Sequence, residues 1–337
     1  MKNQKKNIII LLVVLAIILY ICLNNDFANV VNEIKKMNPI WLIVSIIYLC
    51  LYLLARSINL NMILKQFNKE YTIKKTFKVV LTTSFFDSIT PFSSGGQPAQ
   101  IYLLNKEGFK ISDSTNSVIQ HSIVYQIALV LFGIASIILN SIFNIIGDNS
   151  LLKIFIIIGF AINTFVVILL LFFSFSKKAN LKMLTFFINI LGKLKIIKEP
   201  EKIKKNLNKD IDRFVKNSKL LFKNYKLLIK GILLNLIGFF FLYSIPLYIA
   251  FGLGNLKSLN MVSTIVTSSY VMMFGSFIPI PGGSGGIEYG FIKFFGNFIS
   301  GSKLKAMMLL WRFVTYYILI IVGGISMVLY KKRNDVE

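Results

Sequence analysis

Apolar residues along the chain occur in long blocks rather than at the spacing of an amphipathic helix. A helix rises 1.5 Å per residue, so about 20 apolar residues cross the roughly 30 Å of hydrocarbon in a bilayer. Blocks that predict such spans cover residues 7–23, 39–64, 117–140, 151–175, 227–251 and 305–330. The predicted fold class is therefore an all-α polytopic integral membrane protein with about six transmembrane helices.

Two more apolar stretches, residues 77–104 and 261–299, are each interrupted in the middle by proline and glycine. The first interruption reads PFSSGG over residues 91–96, and the second reads PGGSGG over residues 281–286. Both follow the pattern P-x-x-S-G-G. A stretch broken in this way either crosses the membrane or turns back inside it as a hairpin.

The loop charges favour hairpins, because short loops rich in Lys and Arg stay in the cytoplasm. The loops on both sides of residues 77–104, KQFNKEYTIKK and NKEGFK, are basic, so that stretch is expected to return to the side it left. The same argument makes residues 261–299 enter and leave from outside and places both termini, MKNQKK and KKRNDVE, in the cytoplasm. We therefore expect two re-entrant hairpins that face each other from opposite leaflets.

The matching breaks and opposite orientations indicate an inverted repeat, in which broken helices meet near the membrane midplane at the substrate site. We predict a single transmembrane domain over residues 1–337. Its first half covers about residues 39–140, with the hairpin at 77–104. Its second half covers about residues 227–330, with the hairpin at 261–299.

Between the halves, residues 177–226 form a basic segment with apolar residues at helical spacing. These apolar residues are Ile203, Leu207, Ile211, Phe214, Val215, Leu221, Phe222 and Tyr225. The pattern predicts an amphipathic helix, mainly over residues 202–223, that lies on an anionic cytoplasmic leaflet. A solvated linker with a helical tendency is the alternative.

The formal net charge of +24 lies largely in the loops between apolar blocks, which argues against a nucleic-acid partner.

The composition gives no sign of a metal or cofactor site. Cys22 and Cys50 fall in apolar segments and His121 is the only histidine, so there is no disulfide framework and no metal-ligand spacing. We expect no metal and no cofactor, and no P-loop, nucleophile elbow or zinc-protease motif occurs. We expect His121, with Gln120 and Gln126, to form a polar seam between helices.

The second break is the main candidate site. Backbone groups at membrane depth must be hydrogen-bonded or line a wet cavity, so the breaks at Pro279 and Pro281 predict a polar cavity. A new half-helix begins there at Ser284 or Gly285, and glycine lets the chain turn tightly. The free N–H groups around Gly285 and Gly286 and the positive end of the helix dipole favour an anion, and we expect a lipid phosphate.

Glu288 lies in the first turn of that half-helix. With Gly285 as the N-cap, Glu288 occupies the third helical position, from which its carboxylate can fold back onto the N–H of the cap. A carboxylate near the bilayer centre costs about 2.5–3.5 kcal/mol, which also favours a functional role. The functional alternatives are contact with a cationic lipid headgroup, binding of a proton, or an ion pair with Arg312.

In the first break, Ser94 and Gln97 have the S-x-x-Q spacing of a capping box, and Gln97 is secondarily available to a headgroup. Asp87, in the preceding arm, is either an interfacial residue or a buried partner of Arg56. Arg56 and Arg312 lie inside spanning blocks, where each either snorkels to the surface or holds a phosphate.

Tyr316 lies one helical turn beyond Arg312 and is expected to share its face. The candidate substrate-binding residues are Glu288, Ser284, Gly285, Gly286, Pro279, Pro281, Ser94, Gly95, Gly96, Gln97, Pro91, Arg56, Arg312 and Tyr316. No catalytic residue is predicted.

The segments SITPFSSGGQPAQIYLLNKEG, IPIPGGSGGIEYGFI and WRFVTYYILIIVGG resemble signature segments of the lysylphosphatidylglycerol synthase transmembrane region, a flippase-like family of bacterial and archaeal membrane proteins. The resemblance covers essentially the whole chain. It implies a multi-pass protein of the bacterial cytoplasmic membrane. In two-part members, such as the multiple peptide resistance factor, this region is understood to move aminoacylated phosphatidylglycerol to the outer leaflet. A separate soluble domain makes that lipid.

The resemblance carries over to Pro91, Gly95, Gly96, Gln97 and Pro98, and to Pro279, Pro281, Gly282, Gly283, Gly285 and Glu288. It implies a lipid translocase that binds an anionic or aminoacylated phospholipid such as lysyl-phosphatidylglycerol. One alternative is a phosphatidylglycerol lysyltransferase of lipid metabolism and cationic peptide resistance. No synthase domain follows the last span here, so we expect no such enzyme. The other alternative is a non-transporting tether for a separate lipid-modifying enzyme.

Overall fold

The computed structural model describes residues 26–147, 150–193, 200–254, 259–276 and 278–334, and every regular element in these ranges is helical. The helices are α1 (Phe27–Lys36), α2 (Pro39–Leu64), α3 (Ile73–Ile89), α4 (Gly96–Lys106), α5 (Ile111–Phe143), α6 (Ser150–Phe175), α7 (Lys177–Lys193), α8 (Pro200–Lys223), α9 (Tyr225–Gly252), α10 (Met261–Gly275), α11 (Gly286–Phe295), α12 (Gly301–Arg312) and α13 (Ile318–Asn334). A π-helical turn, Phe313–Tyr317, makes α12 and α13 one continuous rod.

Five helices in the described ranges are long and apolar enough to cross a membrane: α2, α5, α6, α9 and the rod of α12 and α13. They coincide with five of the six predicted spans. The sixth, residues 7–23, lies outside the described residues. Helix α5 starts at Ile111, six residues before the predicted span, because its first turns are polar and hydropathy detects only the apolar part of a helix.

The first hairpin consists of α3 and α4, and its two ends lie side by side. Lys75 Nζ, near the start of α3, is 3.3 Å from Glu107 Oε2, just after α4. The Tyr71 ring packs edge-on against Phe109, with 4.9 Å between centroids. The chain therefore enters and leaves the first hairpin at the same end of the bundle, as the loop charges predicted.

The second hairpin consists of α10 and α11, which run antiparallel. The Phe274 and Tyr289 rings lie 6.5 Å apart close to the break, and the Tyr270 and Phe294 rings lie 6.0 Å apart farther from it. This hairpin follows α9, whose last carbonyl, Gly252 O, accepts a hydrogen bond of 3.0 Å from Asn38 N at the start of α2. Since α2 then runs to the end of the bundle where the first hairpin begins, the two hairpins enter from opposite ends.

Residues 177–193 and 200–223 of the basic segment form α7 and α8, and residues 194–199 lie outside the described residues. The apolar side of α8 is covered by protein: Ile211 and Val215 are buried, and the Phe222 ring lies 4.9 Å from the Phe175 ring of α6. Gln120 of α5 donates to Asn217 O at 3.2 Å. Ile211 and Val215 therefore lie against protein, because α5, α6 and α7 all contact α8. Contact of residues 202–223 with an anionic surface remains a prediction.

Candidate functional site

The two P-x-x-S-G-G segments fold into the same local structure, a 3₁₀ turn over Pro91–Ser93 and another over Pro281–Gly283. In each turn the serine hydroxyl donates to the carbonyl of the proline three residues earlier, at 2.9 Å from Ser94 and 2.9 Å from Ser284. The repeated motif therefore encodes one turn twice.

Each turn contains two left-handed residues. Gly282 and Gly283 have φ angles of 63° and 60°, which glycine adopts without steric cost. Phe92 and Ser93 occupy the equivalent positions with φ angles of 53° and 51°, at a cost of about 1–2 kcal/mol each. The two breaks thus share two consecutive residues with left-handed backbone conformation, although the residue types differ.

Glu288 and Arg312 form a buried ion pair at the second break. Arg312 Nε donates to Glu288 Oε1 at 2.6 Å, and both side chains are about 5% exposed or less. Glu288 Oε2 accepts from Gly285 N at 2.7 Å, as predicted for a third helical position folding back onto its cap. A second guanidinium nitrogen of Arg312 donates to Gly282 O at 2.9 Å. Of the open alternatives for Glu288, the structure shows capping and the ion pair together.

Tyr316 links the second hairpin to the first. Its hydroxyl donates to Ser88 O, in the last turn of α3, at 3.1 Å. The guanidinium carbon of Arg312 lies 4.8 Å from the centroid of the Tyr316 ring, so the two side chains stack, as predicted from their spacing. Both belong to the rod of α12 and α13, and the π-helical turn around Tyr316 is of a kind often found at functional sites.

A second ion pair lies at the first break. Arg56 donates to Asp87 Oδ2 over a single contact of 3.3 Å, and the side chains are 22% and 20% exposed. The backbone N–H of Gly96 also donates to Asp87. Arg56 Nε has no hydrogen-bond partner among the described residues. Asp87 is therefore the partner of Arg56, but it leaves part of the guanidinium free.

The capping box predicted at the first break is absent. The N-cap of α4 is Gly95, whose N–H donates to Thr90 Oγ1 at 2.8 Å. Ser94 has a helical backbone, with φ −81° and ψ −15°, instead of the extended conformation that a capping serine requires, so its hydroxyl bonds to Pro91 O. Gln97 instead reaches α5, where it donates to Ser122 Oγ at 3.2 Å.

The two breaks touch each other but differ in exposure. Pro91, Ser94 and Gln97 at the first break are exposed, whereas Ser284 and Glu288 at the second are buried. Among the other candidates, Gly96 is buried, Pro279 is exposed, and Pro281, Gly95, Gly285 and Gly286 are partly buried. The accessible polar groups of the candidate site thus belong to the first hairpin.

The predicted polar seam involves α6, a helix with no predicted site residue. Gln126 of α5 donates to Asn163 Oδ1 at 3.0 Å, and Asn163 in turn donates to Ser276 Oγ at 3.0 Å, at the end of α10. His121 is buried in α5 close to Arg56. Asn163 was missed although it is the one asparagine in a largely apolar span, which is the signal that could have found it.

No three His, Cys, Asp or Glu side chains in the described ranges are placed to hold a metal ion. The chemistry of the site is therefore that of two carboxylate–arginine pairs and two helix starts in a membrane-spanning bundle. Residues 7–323, which include both pairs and both breaks, match the family described as the lysylphosphatidylglycerol synthase TM region.

The chain belongs to the lysylphosphatidylglycerol synthase TM-region family. It is similar to a UPF0104 membrane protein of Archaeoglobus fulgidus, with 22% identity over 301 residues that cover 88% of each chain. It is also similar to an "uncharacterized protein MG306 homolog" of Mycoplasma pneumoniae, with 23% identity over 312 residues that cover 87% of this chain and 78% of the relative. As a member of this family, the chain is a membrane protein.

Proposed function

We propose that this membrane protein moves a phospholipid between leaflets and that Arg56 binds the lipid phosphate. The observation that carries the proposal is the loose Arg56–Asp87 pair, beside the exposed start of α4 and next to the contact between the two breaks. An arginine inside a spanning helix is costly, which favours a functional role. A phosphate can accept two parallel hydrogen bonds from a guanidinium, whereas Asp87 accepts one.

Arg312 has a different role in this proposal. Glu288, the carbonyl of Gly282 and the ring of Tyr316 already surround its guanidinium, so a phosphate would have to displace several partners at once. Arg312 and Glu288 therefore position the second break, and Arg56 contacts the substrate. Lysyl-phosphatidylglycerol is the first cargo to test, because the family description refers to that lipid.

Alternating access is proposed to occur by movement of one hairpin against the other. Inverted repeats of this kind commonly expose a central site to each side in turn. The rod of α12 and α13 packs against α3 and contacts both breaks through Arg312 and Tyr316, so it is suited to couple their movement.

The test is leaflet exchange in proteoliposomes, with head-labelled phosphatidylglycerol, its lysyl ester and a polyprenyl phosphate as separate probes. Arg56→Gln is expected to slow exchange about 10- to 100-fold, because a charge-assisted hydrogen bond contributes about 1.5–3 kcal/mol. Arg56→Lys keeps the charge but loses the planar guanidinium that donates two parallel hydrogen bonds, so an intermediate rate is expected. Lys177→Ala, on a surface ion pair, is the matched control and should match wild type. Unchanged exchange in a folded Arg56→Gln protein would overturn the assignment.

The orientation of the hairpins gives a second prediction. In a protein with Cys22 and Cys50 replaced by serine, a cysteine at Lys110 is expected to react with impermeant maleimide from the cytoplasmic side. One at Asn297 is expected to react from outside. Lys110 follows the first hairpin, Asn297 follows the second, and both are exposed. Reaction of both from the same side would rule out the opposed orientation.

A further inference from the structure

Helix α7 begins at the end of a membrane-spanning helix. Only Ser176 separates the last residue of α6 from the first residue of α7. Ser176 Oγ accepts from Ala179 N at 3.2 Å, and the Asn180 amide donates to the carbonyl oxygens of Phe173 and Ser176. The corner is therefore fixed by side-chain bonds, and α7 starts at the level where α6 leaves the apolar region.

The outer side of α7 carries apolar side chains that no described residue covers. Phe186 and Phe187 are 59% and 51% exposed, and Ile190 is 37% exposed. Ile188 is buried, and α7 contacts α8 and the end of α6. On the adjoining end of α6, Phe172 and Phe175 are also exposed. Exposed aromatic side chains therefore lie on both of the helices that meet at this corner.

Two lysines lie beside this aromatic surface, one helical turn apart. Among the described side chains no carboxylate pairs with Lys178 or Lys182, whereas neighbouring Lys177 is 2.7 Å from Asp212 Oδ1. Lys178, Leu181, Lys182, Thr185, Phe186 and Asn189 lie along one side of α7. Ile168, Leu171, Phe172, Phe175 and Ser176 lie along one side of the end of α6.

We infer that the corner of α6 and α7 binds anionic phospholipid from the surrounding bilayer. The phosphate lies at Lys178 and Lys182, and the acyl chains contact Phe186, Phe187 and the end of α6. Lipid is the occupant because exposed aromatic side chains directly follow a membrane-spanning helix. The anionic headgroup follows from two lysines that no described carboxylate pairs. Helix α7 is thus an element that lies in the membrane surface. This inference does not depend on transport.

The test uses tryptophan as a depth probe in the full-length protein. Phe186→Trp is reconstituted in vesicles whose phosphatidylglycerol or phosphatidylcholine carries bromine on the acyl chains, and the wild-type signal of Trp41 and Trp311 is subtracted. We expect bromine to quench the new tryptophan, with stronger quenching when phosphatidylglycerol is the brominated lipid. Asn208→Trp, on an exposed position of α8, is the matched control and should be quenched by aqueous acrylamide but not by bromine.

Charge neutralisation separates the lysine contribution from the aromatic one. About fivefold enrichment of anionic lipid is expected for each lysine near the surface, and Lys178→Gln with Lys182→Gln should remove the preference for phosphatidylglycerol. Equal quenching by both brominated lipids in the Phe186→Trp protein that retains both lysines would overturn the assignment of the phosphate to Lys178 and Lys182. Quenching of Phe186→Trp by acrylamide alone, or by neither agent, would show that water or protein covers α7. Phe187→Trp replaces Phe186→Trp if that variant does not fold.

Discussion

Glu288→Gln and Arg312→Leu are each expected to destabilise the protein by about 3–5 kcal/mol, because each leaves the partner charge buried without compensation. The two side chains are 4% and 5% exposed, and their contact of 2.6 Å lies where two hairpins meet. Glutamine retains an acceptor for Gly285 N, so the loss at position 288 reports mainly the missing charge. The free energy of unfolding in detergent micelles, from denaturant titration followed by circular dichroism, is the measurement.

The double variant completes the comparison. Removing both charges is expected to cost less than the sum of the two single changes, since neither residue is then left as an isolated buried ion. Asp212→Asn, at the exposed pair with Lys177, is the control and should cost less than about 1 kcal/mol. Additive losses at positions 288 and 312 would show that the two charges do not depend on each other.

Gly282→Ala is expected to disrupt the contact between the two hairpins. A Cβ at this position would lie 2.2 Å from Cε2 of Tyr316 and 2.6 Å from its hydroxyl oxygen, and the φ angle is +63°. The left-handed backbone costs about 1–2 kcal/mol for alanine, and overpacking adds about 1–3 kcal/mol. Because Tyr316 also bonds to Ser88 and stacks on Arg312, we expect loss of stability and of lipid exchange together.

Gly301→Ala is the matched control for this change. Its φ angle is +65°, nearly that of Gly282, but nothing lies within 4 Å of the added Cβ. It should therefore show only the backbone cost of about 1–2 kcal/mol and retain exchange. If both alanine variants lost the same stability, Tyr316 would be free to move aside, and the contact between the breaks would not be rigid.

Features that depend on local sequence were predictable. The spans were found because a bilayer demands a fixed length of apolar helix, which α2, α6 and α9 supply as uninterrupted blocks. The fold-back of Glu288 onto Gly285 was also predictable, because the cap and the third helical position are three residues apart. The capping box at Ser94 failed because that serine has a helical backbone and its hydroxyl bonds to Pro91 O, whereas Ser284 after the second turn has a ψ angle of 140°.

The sequence by itself determined the apolar spans, the two repeated turns and, through loop charge, the return of each hairpin to its own end of the bundle. The tertiary structure alone decided which carboxylate each arginine meets, that the first break is exposed while the second is buried, and that α8 turns its apolar side inward. The physical reason is separation along the chain. Asp87 lies 31 residues from Arg56, so their contact depends on how α2 and α3 pack, and no local periodicity specifies that packing.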